Sequence, residues 1–97
     1  MQEAYLIGTI TVKNKEKWYE YRSKVTNTLL PWGGKLVFRG KKAVALAGNT
    51  KHNFSVIISF PNIDSLKGWF SSIEYQSIIP LREEAADMDL VCYQLDN

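Results

Sequence analysis

The sequence predicts an α+β sandwich, an antiparallel sheet with helices on one face only. The order of segments reads strand, helix, strand, short strand, strand, helix pair, strand, from apolar periods of two and of 3–4 residues. The 97 residues, 45% hydrophobic and 23% charged, suit one globular domain over 1–97 with a thin core. More than one strand is apolar on both alternating faces, which calls for cover on two sides.

Residues 4–12 (AYLIGTITV) are rich in β-branched and aromatic side chains and read as the first strand. Leu6, Ile10 and Val12 share one face, and Tyr5 and Ile7 the other. Asn14 is an N-cap with Glu16 in the first turn, and Trp18, Tyr21, Val25, Leu29 and Trp32 recur at spacings of three and four. That predicts a helix over 15–30, stopped by Pro31 and Gly33-Gly34. A Gly pair here is a helix stop needing positive φ, or a place where backbone amides approach a ligand.

Residues 35–39 (KLVFR) read as a short strand, 40–42 as a turn and 43–47 (AVALA) as a weaker strand. Residues 54–60 (FSVIISF) are the strongest strand, with Phe54, Val56, Ile58 and Phe60 on one face and Ile57 on the other. Pro61 ends it and Asn62 caps a helix whose apolar face is Ile63, Leu66, Trp69 and Phe70. Ser72 caps a further helix from Ile73, which Pro80 kinks or restarts because it lacks a backbone donor. Residues 89–95 (DLVCYQL) read as the final strand.

Two β-α-β halves joined by a hairpin-like connection describe a ferredoxin-like sandwich. Its helices roof one face, and the other face is apolar on at least two strands. An exposed patch of several hundred Å² is unusual for a soluble monomer. The expected solution is a homodimer with sheets packed face to face, a dimeric α+β barrel.

Net charge is +2, too small to predict nucleic-acid binding by itself. Residues 1–51 carry ten Lys/Arg against three acids, and residues 52–97 carry two against seven. This reads as two differently charged solvated faces, or as complementary edges in self-assembly. One cysteine, Cys92, excludes an internal disulfide and reads as a buried inert thiol. No apolar run reaches the roughly 18 residues of a membrane helix, and the N-terminus lacks a signal-peptide pattern. The expectation is a cytoplasmic protein binding neither membrane nor nucleic acid.

Residues 32–40 (WGGKLVFRG), Phe60-Pro61, residues 69–76 (WFSSIEYQ) and Pro80-Leu81-Arg82 together resemble motifs of the domain-of-unknown-function family 1330. The similarity runs from about Ala4 to Leu95. It implies a dimeric α+β barrel, in a superfamily that includes cofactor-free monooxygenases, haem-degrading enzymes, lactone isomerases and ligand-sensing domains. Two positions depart from the pattern. Lys41 stands where a second Gly often follows Arg-Gly, and Trp18 stands where a Tyr is common, which keeps the bulk and removes a phenol.

Tyr75 and Arg82 lie seven residues apart, on one stripe if their segment is a continuous helix. A buried guanidinium needs an outlet. It can snorkel to water, pair with Glu83, Glu84, Asp87 or helix-end carbonyls, or face a cavity that takes an anion. Tyr75 either hydrogen-bonds the backbone or, beside a fixed cation, binds a carbonyl or acts as a weak acid. Arg39 is an exposed strand residue near a turn, or faces the interior with Arg82 as an anion site.

His52, the sole histidine, falls in the polar loop 48–53 and reads as solvated. With one His and one Cys, no usual zinc set is available, and no metal or cofactor is expected. Haem ligation would fall to a Tyr. No GxGxxG, GxxxxGK[ST] or GxSxG pattern is present.

The ligand-binding candidates are therefore Arg39, Tyr75 and Arg82 around an aromatic wall of Trp18, Trp69 and Phe60. The expected function is a small-molecule-binding homodimer with an anion-accepting pocket between sheet and helices. The alternatives are a cofactor-independent enzyme, monooxygenase- or isomerase-like, acting on a small carbonyl or anionic substrate, and a structural dimer without ligand.

Overall fold

The computed structural model describes residues 3–95; Met1 and Gln2, part of the N-terminus read for a leader pattern, lie outside it. Strand β1 (Ala4–Val12) leads to α1 (Lys15–Leu29), a 3-10 turn (Leu30–Trp32), β2 (Lys35–Lys41) and β3 (Phe54–Phe60). Three short helices follow, α2 (Ile63–Ser71), α3 (Ile73–Gln76) and α4 (Ile79–Ala85), and then β4 (Ala86–Gln94). The sheet is antiparallel in the order β2-β3-β1-β4, the expected ferredoxin-like arrangement. The chain measures 34 × 34 × 16 Å. Its short dimension leaves room for one sheet and one helix layer, spaced about 10 Å apart.

The predicted caps form. Asn14 Oδ1 accepts from Lys17 N, Asn62 Oδ1 from Ser65 N, and Ser72 Oγ from Tyr75 N. Gly33 ends the first helical segment at φ 71, in the left-handed region where a side chain is strained. Pro80 sits in the first turn of α4, so the helix restarts there. The core lies between the sheet and the helices. Leu6, Ile10, Val56, Ile58 and Phe60 from the strands meet Tyr21, Val25, Leu29, Leu66, Trp69, Tyr75 and Ile78.

Four expectations need correction. Residues 43–47 form no strand; β2 runs on through Lys41, pairing Gly40 with Ser55 and Lys41 with Phe54. β3 already has β2 and β1 on its two sides, and past Lys41 the chain leaves the sheet, its base closed by Lys42 N donating to the Asn53 carbonyl, so the AVALA run pairs with neither open edge. It belongs instead to an arm, residues 42–53, on which Val44 and Leu46 are exposed. β4 begins at Ala86 rather than Asp89, because Ala86–Met88 continue the ladder against Val12–Ile10 without a turn residue between helix and strand. Cys92 is exposed rather than buried, because β4 is an edge strand.

The fourth correction concerns His52, which is buried. Its Nδ1 lies 2.7 Å from Thr11 Oγ1 and its Nε2 3.1 Å from Asp89 Oδ2. The ring ties the base of the arm to β1 and β4. Polarity of the surrounding loop does not expose a side chain that has two tertiary partners.

On the face away from the helices, Phe38, Ile57, Ile7 and Val91 are in register across all four strands. Phe38 and Val91 remain about half exposed, at 50% and 46%.

Candidate functional site

α1 presents Trp18, Tyr21, Arg22 and Val25 toward the sheet because these positions share its inner stripe. The Trp18 and Tyr21 rings stack at 5.5 Å. Across from them, α2 delivers Trp69, whose Nε1 donates to Thr28 Oγ1, which donates in turn to the Val25 carbonyl. Trp69 also packs on Tyr75 at 4.2 Å and on Phe60 at 5.6 Å. The indole is thereby locked by α1, β3 and α3 together.

Tyr75 is fully buried, and its partners are side chains rather than backbone. Tyr75 Oη lies 2.9 Å from Tyr21 Oη and accepts from Arg82 Nη1 at 2.9 Å. Arg82 Nη2 donates to Glu83 Oε1 at 3.0 Å. A buried chain thus runs Tyr21, Tyr75, Arg82 and out to a surface carboxylate. The kink at Pro80 does not separate Tyr75 from Arg82.

Burial, and next the neighbouring phenol of Tyr75, push the Tyr21 hydroxyl far above its ordinary range, against a smaller downward pull from Arg82. Burial alone would lower the Arg82 guanidinium; its bonds to Tyr75 and Glu83 outweigh that and raise it. Tyr21 is therefore a hydrogen-bond donor or acceptor and not a base.

Between α1 and the sheet lies a narrow, mostly apolar cleft with about 40 Å³ of free space. That is room for roughly two or three waters. Its walls are Leu6, Ile10, Val56 and Ile58 from the sheet, Trp18 and Tyr21 from α1, and Trp69. Arg22 and Arg39 both border it, and they share a second, shallower hollow with Tyr19, Ser23 and Thr26. Arg39 comes to this face because it pairs with Val56 in the ladder, after a bulge between Leu36 and Phe38 resets the alternation.

Neither Arg22 nor Arg39 makes an ion pair among the described residues. Desolvation, and next the charge of Arg22, lower the Arg39 guanidinium. Two like charges at one apolar mouth cost free energy that an anion between them would return.

The structure brings Trp18, Trp69 and Arg39 to the cleft. Phe60 stands behind Trp69 in the core, off the cleft wall. Arg82 and Arg39 do not converge: Arg82 already holds Glu83, and the cation beside Arg39 is Arg22. Tyr21 and Arg22 were not singled out from the sequence as site residues. Their adjacency on α1 is a signal only once the stripe's orientation to β2 is known.

A larger cavity, about 510 Å³, lies on the opposite face under the arm. It is a shelf whose arm wall, Val44 included, stands in solvent, whereas Tyr21, the end of the buried polar chain, and the cations Arg22 and Arg39 line the narrow cleft. Size alone does not make the shelf the functional site. Among the described residues no three His, Cys, Asp or Glu side chains are grouped to hold a metal, and no helix is long and apolar enough to cross a membrane.

Residues 3–94 match the profile of a family described as Domain of unknown function (DUF1330). A search among curated proteins finds no match to the sequence. Among solved structures, a protein of unknown function from Rhodopseudomonas palustris is similar at TM-score 0.84 and 15% identity, covering 99% of this chain and 84% of its own. A dimeric ferredoxin-like protein of unknown function from Jannaschia sp. CCS1 is similar at TM-score 0.76 and 8% identity, over 96% and 99%. SnoaB, a cofactor-independent oxygenase from Streptomyces nogalater, is similar at TM-score 0.70 and 11% identity, over 100% and 96%. At these identities the likeness is one of fold.

Proposed function

The chain belongs to the family Domain of unknown function (DUF1330), and on that premise we propose that it works as a homodimer binding a small anionic ligand between α1 and the sheet. The observation that carries this reading is the pair Arg22 and Arg39, without ion-pair partners among the described residues, at the mouth of an aromatic-lined cleft. A carboxylate or similar anion sits between the guanidinium groups, and its apolar end enters beside Trp18 and Trp69. The free space is small, so a ligand larger than a fragment displaces Trp18 or Arg39 outward. Trp18 is half-buried and Arg39 exposed, so each has solvent beside it to move into.

The homodimer reading is supported by the apolar row Phe38, Ile57, Ile7 and Val91, which the chain's own helices leave uncovered. The Jannaschia relative is itself a dimer of this fold. We read residues 1–97 as one domain per protomer. An exposed single thiol, Cys92, favours a reducing compartment and hence the cytoplasm.

A thermal-shift titration with benzoate and phenylacetate tests the binding. Saturation a hundredfold above Kd adds about 2.7 kcal/mol, or roughly 11–22 °C in Tm for a domain of this size. Arg39→Ala and Arg22→Ala should each abolish most of the shift. No shift from any small carboxylate, in a panel spanning aliphatic and aromatic acids, would end the anion reading.

One observation favours an enzymatic alternative. The Tyr21–Tyr75–Arg82 chain holds a protonated phenol beside the cleft, placed to donate to a carbonyl or enolate oxygen, and SnoaB performs cofactor-independent oxygenation on this fold. Turnover of a bound compound that Tyr21→Phe abolishes while binding persists would select this alternative.

A further inference from the structure

The outer face of the sheet carries an ordered charge pattern. The apolar rung Phe38, Ile57, Ile7, Val91 is flanked by Gly40, Ser55, Thr9, Asp89. The next level pairs Thr11 with Asp87, and at the same level Lys42 N donates to the Asn53 carbonyl, two residues beyond the pairing of Gly40 with Ser55. Lys42 therefore stands at the β2 edge of the level whose β4 edge is Asp87.

Two face-to-face sheets have two settings of a two-fold axis. An axis across the strands lays β2 on β2 with the levels reversed, so Lys42 of each copy faces the end of the other's β2 where Lys35, paired with Ser59, shares the outer face, lysine toward lysine. An axis along the strands keeps every residue at its own level and lays β2 on β4, so Lys42 of each copy meets Asp87 of the other and the apolar rung meets itself. Only the second setting is complementary in charge.

The arm 42–53 fits the same setting. It rises over the outer face with Val44 68% and Leu46 93% exposed, and its base is clamped by His52 between Thr11 and Asp89. Lys42 Nζ reaches the Thr50 carbonyl and hydroxyl, so the arm is closed on itself, with Val44 and Leu46 left exposed.

We propose that the arm is a strap onto a second copy of this chain. Val44 and Leu46 pack on that copy's β4, Lys42 pairs with its Asp87, and its β4 closes the 510 Å³ shelf under the arm. The two-fold axis runs along the strands. This rests on the homodimer read above and adds its orientation and the part the arm plays.

Sedimentation equilibrium on the full chain tests it, with far-UV circular dichroism to confirm folding of each variant. Lys42→Asp and Asp87→Lys should each raise the dimer Kd about tenfold or more, and the double variant should recover most of that loss. Val44→Asp with Leu46→Asp should raise it comparably. If the double charge swap is no better than the single changes, the axis is wrong. If the arm variant leaves Kd unchanged, the strap is wrong. In both cases a dimer that Ile57→Asp dissociates leaves the homodimer itself standing. A wild-type chain that is monomeric at about 10 μM overturns the homodimer and this inference together.

Discussion

At the scale of single residues, the Tyr21–Tyr75–Arg82 chain sets what can be measured. Tyr75 is fully buried and bonded on both sides, so Tyr75→Phe strands the Tyr21 hydroxyl and an Arg82 N–H. Leaving buried groups unsatisfied costs about 1–3 kcal/mol. We expect Tyr75→Phe to lower urea-unfolding stability by about 2 kcal/mol, and Tyr21→Phe with Tyr75→Phe to cost less than the two single changes added. Tyr21 also gives a pH dependence. Its folded-state ionisation is raised, chiefly by burial, so its contribution is whole below its ordinary value near 10 and is lost as pH rises above it. Stability measured between pH 9 and 11 should fall in the wild type, and Tyr21→Phe should flatten that slope.

At the scale of elements, each helix starts where a side chain replaces the missing backbone partner. Asn14→Ala and Asn62→Ala each remove one cap bond and should cost about 1 kcal/mol in thermal unfolding, near the typical value for such caps. Trp69 joins α1, α2, α3 and β3, through its bond to Thr28 and its packing on Tyr75 and Phe60. Trp69→Phe keeps much of the ring packing and loses the bond to Thr28, so its cost should fall well short of that of Trp69→Ala, which at roughly 3–5 kcal/mol threatens so small a domain.

At the scale of the molecule, the sheet has two apolar faces and one helix layer. The outer rung gives the clearest global prediction. Ile57→Asp places a charge in the middle of that rung, on a side chain that is already half-buried within one chain. It should convert the proposed dimer to a folded monomer in sedimentation while leaving helix content unchanged. The cleft belongs to this scale too, since its walls come from α1, α2 and all four strands. Binding of a carboxylate should quench Trp fluorescence, because Trp18 and Trp69 are wall residues.

Local chemistry determined much of this protein from sequence. The alternation in 54–60, the 3–4 spacing from Trp18 to Leu29, and the caps Asn14, Asn62 and Ser72 fixed the elements, since each signal acts within one turn or one strand. The ferredoxin-like order followed from their succession. Tertiary structure alone decided what depends on neighbours distant in sequence. AVALA has strand-forming residues but leaves the sheet without pairing to an open edge, His52 sits in a polar loop yet finds Thr11 and Asp89, and Cys92 lies on a strand with one side open. It also decided that Arg39 meets Arg22 rather than Arg82, because a one-residue bulge in β2 chooses the face a side chain takes and leaves no mark in local composition.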